Sequence, residues 1–406
     1  MHKQKISWAA VVAGVAVMLC LTGCAGSDAA EDTGKQPNTV APLTMTFAVP
    51  VDAAGNMTKT RADVPDPGDD TYDRDDWDRL TIVLAYKTKT QSLNIVDDTP
   101  GRMVYYDTFT KEQFTKTLTE AVASTDADGI GGTLSKADDN GYRQYTGYVP
   151  LGVCRVYGIT YSADNGLGLE DALKGMATDG ADKTSAVEGL TISNDYATTG
   201  GTMDIAKFIS VGTGYARKLD TTTGGLTDDK DITVAFPDGT DDTGVENKQY
   251  WRMNISRLAT KLDMQWDAKG VYENGTYKNI KVSSLTYDGG STSETGTGYG
   301  RLFPTLQQAD VAAVGGKKTF INTSEVSKRN GRQYHYLFPD GSKTAKVTFT
   351  IESELAADAE QTKSITYTFD FKNHAPLQSA TWYKVNTTIS GSTFAEGKTE
   401  ITKDDF

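Results

Sequence analysis

Cysteine is scarce in this chain, three in 406 residues. Cys20 and Cys24 crowd the N-terminus, which leaves Cys154 alone in the body of the chain and excludes an internal disulfide there. Cys154 lies in the apolar stretch VPLGVCRVYGITY, where a small buried hydrophobe is expected rather than a nucleophile. Histidine is as rare. His2 stands at the start, and His335 and His374 are 39 residues apart, so no zinc-ligand spacing exists with the one remaining thiol. No G-x-S-x-G elbow occurs, and GLGLED (166–171) lacks the third glycine and the strand–helix setting of a phosphate loop, so it reads as a turn. No enzyme chemistry, metal or cofactor is therefore expected. Positive charge is also short. Lys and Arg number 41 against 54 Asp and Glu, a net charge of −13, which argues against nucleic acid or an anionic membrane surface as partner.

Long apolar runs are absent except at the N-terminus. Trp8–Leu21 is an apolar core behind Lys3 and Lys5, too short to span a bilayer comfortably and suited to an export signal. It ends in Leu21-Thr22-Gly23-Cys24, which resembles the lipobox of bacterial lipoproteins. The resemblance implies cleavage before Cys24, acylation of its thiol, and export to a Gram-negative envelope. Residues 25–42 are small and polar, as a tether from a lipid anchor would be.

What the chain has in quantity is glycine (40), tyrosine (20) and threonine, without helical Leu or Ala periodicity, which points to an all-β extracellular protein. In LTMTFAVPV (43–51), Leu43, Met45, Phe47, Val49 and Val51 alternate with period two, the pattern of a strand with one face in a core. LTIVLAY (80–86) and RMVYYDTF (102–109) are further strands, and YRQYTGYVPLGVCRVYGITYS (142–162) reads as two strands joined at Pro150-Leu151-Gly152. Residues 109–124 form the best helix candidate, with Thr110 as N-cap, and a helical turn is expected near Leu169–Met176. Residues 249–268 alternate in two phases, Trp251, Met253 and Ile255 and then Leu258, Leu262, Met264 and Trp266, so a bulge or bend is expected there. Six more short strands follow, closing with SITYTFDFK and ATWYKVNTTIS. The expected fold is two β-sandwich domains in series with one or two short helices, residues 62–240 and 241–406, joined near FPDGTDDTGVEN (236–247).

The loop after the first strand is soft and acidic. Within DVPDPGDDTYDRDDWD (63–78) the carboxylates do not follow EF-hand spacing, and a solvated loop is expected rather than a calcium site. Trp77 and Tyr299 are candidates for stacking on sugars, although most tyrosines are better explained as strand residues.

Four features together resemble the type V fimbrillins, fimbrial subunits of gut and oral Bacteroidales. These are the lipoprotein signal, an early alternating strand followed by Thr60-Arg61-Ala62, the stretch NISRLATKLDMQW, and the closing ATWYKVNTTISGS. The resemblance implies transthyretin-like sandwich domains, an outer-membrane lipoprotein precursor, and cleavage after Arg61, before Ala62, by an Arg-specific protease. The strand of Leu43, Met45, Phe47, Val49 and Val51 would then leave with the anchor, and a strand from another fimbrial subunit would take its place in a cell-surface fimbrium. Losing five such side chains exposes on the order of 10 kcal/mol of apolar transfer energy, an upper estimate, and the incoming strand recovers it by β-augmentation. The chain departs from stalk subunits at its end. GSTFAEGKTEITKDDF (391–406) has few large apolar residues, Phe394 and Ile401 before Phe406, so it is a poor donor strand. A subunit that accepts but does not donate fits a fibre tip in cell adhesion, with its receptor not legible. A stalk subunit whose tail pairs by backbone alone, and a glycan-binding surface lipoprotein that keeps its anchor, stay open.

Overall fold

The computed structural model describes residues 40–51, 77–89, 101–126, 129–137, 142–163, 167–176, 180–193, 198–199, 202–203, 210–220, 222–235, 251–267, 277–288, 299–303, 317–319, 330–338, 346–355, 362–370, 377–390 and 396–405. Among them the fold is all-β with three short helices. The strands of the first part are β1 (Val40–Val51), β2 (Arg79–Lys89), β3 (Val104–Thr110), β4 (Val122–Ala123), β5 (Thr133–Lys136), β6 (Arg143–Pro150), β7 (Gly152–Tyr161), β8 (Thr191–Ser193), β9 (Thr198–Thr199), β10 (Thr202–Met203), β11 (Gly212–Lys218), β12 (Ile232–Val234) and β13 (Trp251–Arg257). Those of the second are β14 (Thr260–Asp267), β15 (Tyr277–Asp288), β16 (Tyr299–Arg301), β17 (Lys317–Thr319), β18 (Asn330–Leu337), β19 (Lys346–Leu355), β20 (Thr362–Asp370), β21 (Thr381–Ser390) and β22 (Glu396–Asp405).

A ten-stranded sheet runs β3-β2-β7-β11-β13-β1-β6-β5-β4, with β12 also paired to β7. Its inward side chains, from strands at both ends of that order, share one core. On β2, Leu80, Ile82, Leu84 and Tyr86 enter this core, while Val83 and Ala85 enter a second core on the opposite face. Burial on both faces is why LTIVLAY is apolar at nearly every position instead of alternating. Helices Leu169–Gly175 and Thr184–Glu188 cover that second face through Leu169, Leu173 and Val187. The latter helix is pinned by Arg155, which donates to Glu188 at 2.5 Å and to Asp231 at 2.6 Å. Burial works to raise the Asp231 carboxyl, but hydrogen bonds from Lys87 and Arg155 outweigh it and hold the group below its ordinary value.

The second part contains two four-stranded sheets, β18-β14-β21-β22 and β17-β15-β19-β20. Tyr336, Phe338 and Trp382 from this part, with Leu302 and Phe303, complete the second core of the first sheet.

Two elements differ from the sequence expectation, the helix and the stretch 249–268, while the two strands joined at Pro150-Leu151-Gly152 are present as expected. The helix spans only Lys111–Lys116, and Val122 belongs to β4 instead of its apolar stripe. The hydroxyls of Thr115, Thr117 and Thr119 donate to the carbonyls of Lys111, Phe114 and Lys116, competition that weakens a helix, and Leu118 is exposed. β6 and β7 are consecutive but not paired, because Leu151 carries the chain between separate positions in the sheet. Gly152 makes the corner at φ 141°, and a Cβ there would lie 2.1 Å from the Thr88 carbonyl oxygen. Finally, the phase change in 249–268 separates two strands. β13 stays in the ten-stranded sheet, past the boundary drawn at residue 241, and after Leu258 and Ala259 the chain enters β14 in another sheet.

Candidate functional site

β1 is an interior strand of the ten-stranded sheet. It runs antiparallel to β6, from Val40 opposite Pro150 to Phe47 opposite Arg143, and parallel to β13, with Thr46 opposite Arg252 and Val51 opposite Ser256. Its inward side chains Ala41, Leu43, Met45 and Phe47 are buried, and Val49 is half-buried against the same core. Thr44 and Thr46 face outward and are half-buried, with the Thr46 hydroxyl donating to the Trp251 carbonyl at 3.4 Å. Both edges of β1 are thus used. With strands about 4.8 Å apart, withdrawal of β1 would leave β6 and β13 facing each other across a gap one strand wide, roughly 9.6 Å.

The pairing across β1 and β6 is graded in size. Ala41 lies opposite Val149, Leu43 opposite Gly147, Met45 opposite Tyr145 and Phe47 opposite Arg143. The Phe47 end is closed by aromatic side chains. The Phe47 and Phe114 ring centroids are 6.2 Å apart, and Trp77 meets Phe114 edge-on at 5.3 Å. The buried Arg143 guanidinium stacks over Phe114 at 4.7 Å and donates to the Thr117 hydroxyl. Thr110 fixes the helix that carries Phe114, accepting from the Gln113 amide while the Gln113 side chain accepts from the Thr110 amide. Behind Met45, the Tyr145 hydroxyl donates to Asp107 at 2.6 Å. That buried carboxylate also accepts from the amides of Ile130, Gly131 and Gly132. Burial, and then the charge on Asp107, push the Tyr145 phenol well above its ordinary value.

Of the residues singled out from sequence, Leu43, Met45 and Phe47 come together in one buried row, and Val51 extends the β1–β13 pairing. Cys24, Arg61 and Ala62 lie outside the described residues, as does the acidic loop up to Asp76. Trp77 is a core residue, 5% exposed under the Lys111 ammonium, which removes it as a sugar-stacking candidate. Cys154 is fully buried, its thiol pushed up to about 12 by burial and then by the Asp231 charge. NISRLATKLDMQW proves to be a junction: its first half pairs with β1, and its second half pairs in parallel with the closing strand, Lys261 opposite Trp382. Sequence reasoning missed Trp77, Phe114 and Arg143 as parts of the β1 surroundings. The only local signal was the run of Phe109, Thr110 and Phe114 around a capping box.

No protein-family model and no curated protein sequence matches the chain. Solved structures are similar in fold. One is a cell adhesion protein, as its description has it, from Bacteroides eggerthii, at 10% identity and TM-score 0.42 over 91% of this chain and 97% of that one. A fimbrial protein from Bacteroides vulgatus is similar at 10% identity and TM-score 0.30, over 68% and 84%. The fimbrial anchor protein Mfa2 from Porphyromonas gingivalis is similar at 8% identity and TM-score 0.34, over 90% and 98%.

Proposed function

We propose that this chain is a non-enzymatic subunit of a surface fimbrium, of the type V fimbrillin kind, in which β1 is a removable strand. The chain is exported as a lipoprotein acylated at Cys24 and cut between Arg61 and Ala62 by an Arg-specific protease. Released with its anchor, β1 leaves a slot between β6 and β13 that a strand from another subunit fills. The observation that carries this reading is the position of β1, an interior strand hydrogen-bonded on both sides and buried through Ala41, Leu43, Met45 and Phe47, yet joined to the body by the loop that holds Arg61. Leu43, Met45 and Phe47 alone represent on the order of 6 kcal/mol of apolar burial, which an incoming strand recovers. We place the boundary between the two parts of the body at Leu258–Ala259.

A tip or minor role follows from β22. Its residues EGKTEITKDD carry one large apolar side chain, Ile401, against the graded row of β1. A stalk role draws on one observation, that β22 is an edge strand paired only to β21 among the described residues.

N-terminal sequencing of protein shed into assembled fibres tests the maturation. The sequence should begin at Ala62, and Arg61→Ala should leave the protein in the membrane fraction. A fibre form beginning at Cys24, or normal incorporation of the variant, sinks the reading.

A further inference from the structure

Alternation alone does not fix the register of a replacement strand. A slip of two residues keeps every side chain on its own face, so a slot lined only by generic apolar surface would accept several registers. The surroundings of β1 are not generic. Gly147 lies opposite Leu43, with the Tyr145 hydroxyl 3.1 Å from where a Cβ on Gly147 would be, Tyr145 lies opposite Met45, and the Phe47 end is walled by the Trp77–Phe114 pair. Advancing a strand by two would press an aromatic ring against Tyr145 and put an aliphatic side chain where Phe114 expects a ring. The first overpacks and the second leaves a void.

We propose that Trp77 and Phe114 form an aromatic socket that sets the register of whichever strand fills the β1 slot. The fitting strand runs in the direction of β1 and carries, at alternate positions, a small, an aliphatic, a second aliphatic and an aromatic side chain. This rests on the reading of β1 as removable. Trp77 lies downstream of Arg61 and Phe114 further still, so both stay with the body after cleavage, and the socket would present itself to the incoming strand. The β22 segment Glu396–Asp405 has no aromatic residue and does not match that pattern.

The test uses the full chain nicked after Arg61 and an excess of one of two peptides. One is VAPLTMTFAVPV, residues 40–51. The other has the same composition with Leu43→Phe and Phe47→Leu exchanged. Native mass spectrometry reads the fraction of chain carrying each peptide. The first should incorporate about 30-fold more tightly than the second, the size expected from overpacking one position and underfilling another. In a Phe114→Ala chain, or in a Trp77→Leu chain should the first fold poorly, the two peptides should come within about threefold of each other. Equal incorporation of both peptides by the unmodified chain overturns the socket while leaving β1 replaceable. Failure of both peptides to incorporate overturns replaceability itself, and the socket with it.

Discussion

Asp107 shows how a single side chain supports the surroundings of β1. It is fully buried and accepts four hydrogen bonds, three from consecutive backbone amides of 130–132 and one from the Tyr145 hydroxyl. A buried carboxylate is tolerated because charge-assisted bonds replace its hydration. Gly132 permits the close approach, since a Cβ there would lie 2.5 Å from the Asp107 carboxylate. Asp107→Asn turns one acceptor into a donor aimed at amides that also donate, and should cost about 3 kcal/mol. Tyr145→Phe removes one bond from the same carboxylate and should cost only about 1 kcal/mol. Urea unfolding ranks the two. A Phe variant as damaging as the Asn variant would mean that the tyrosine bond, and not the amide cradle, holds the carboxylate.

The helix Lys111–Lys116 and the strand β1 differ in how far local sequence determines them. In β1, period two is a property of consecutive residues, so its buried row was legible. Its neighbours were not. β6 and β13 lie roughly 100 and 200 residues along the chain, and no local pattern encodes that pairing. The Cys154 burial was legible from its apolar run, whereas the role of Trp77 was not, because an isolated aromatic beside an acidic loop looks alike whether it faces solvent or a core. In the helix, the cap at Thr110 was legible and the length was not, since apolar spacing continues through Leu118 and Val122 while threonine hydroxyls end the helix first. So short a helix leans on its cap. Thr110→Ala should therefore cost about 1 kcal/mol and loosen Phe114 against Phe47. Chemical denaturation would check the first effect, and a loss below about 0.3 kcal/mol would show that Arg143 and the core, not the cap, hold the helix.

At the scale of the whole molecule, the two parts share one of the two buried clusters found among the described residues. Val83, Ala85, Tyr157 and Ile159 of the ten-stranded sheet share a buried cluster with Phe303, Tyr336, Phe338 and Trp382 from beyond Leu258. Backbone bonds cross the same junction. Leu258 donates to the Val211 carbonyl at 2.7 Å, Leu302 donates to Leu190 at 3.0 Å, and β16 pairs with β8. The arrangement predicts cooperative unfolding. Phe303 is fully buried with its ring 4.9 Å from that of Tyr157, so Phe303→Ala should cost about 3–5 kcal/mol. Hydrogen exchange should register that loss in amides of β2 and of β14 alike, although Phe303 belongs to neither strand. If protection fell in β14 alone and β2 kept its full value, the two parts would be independent folding units. The shared cluster would then be an interface between them and not a common core.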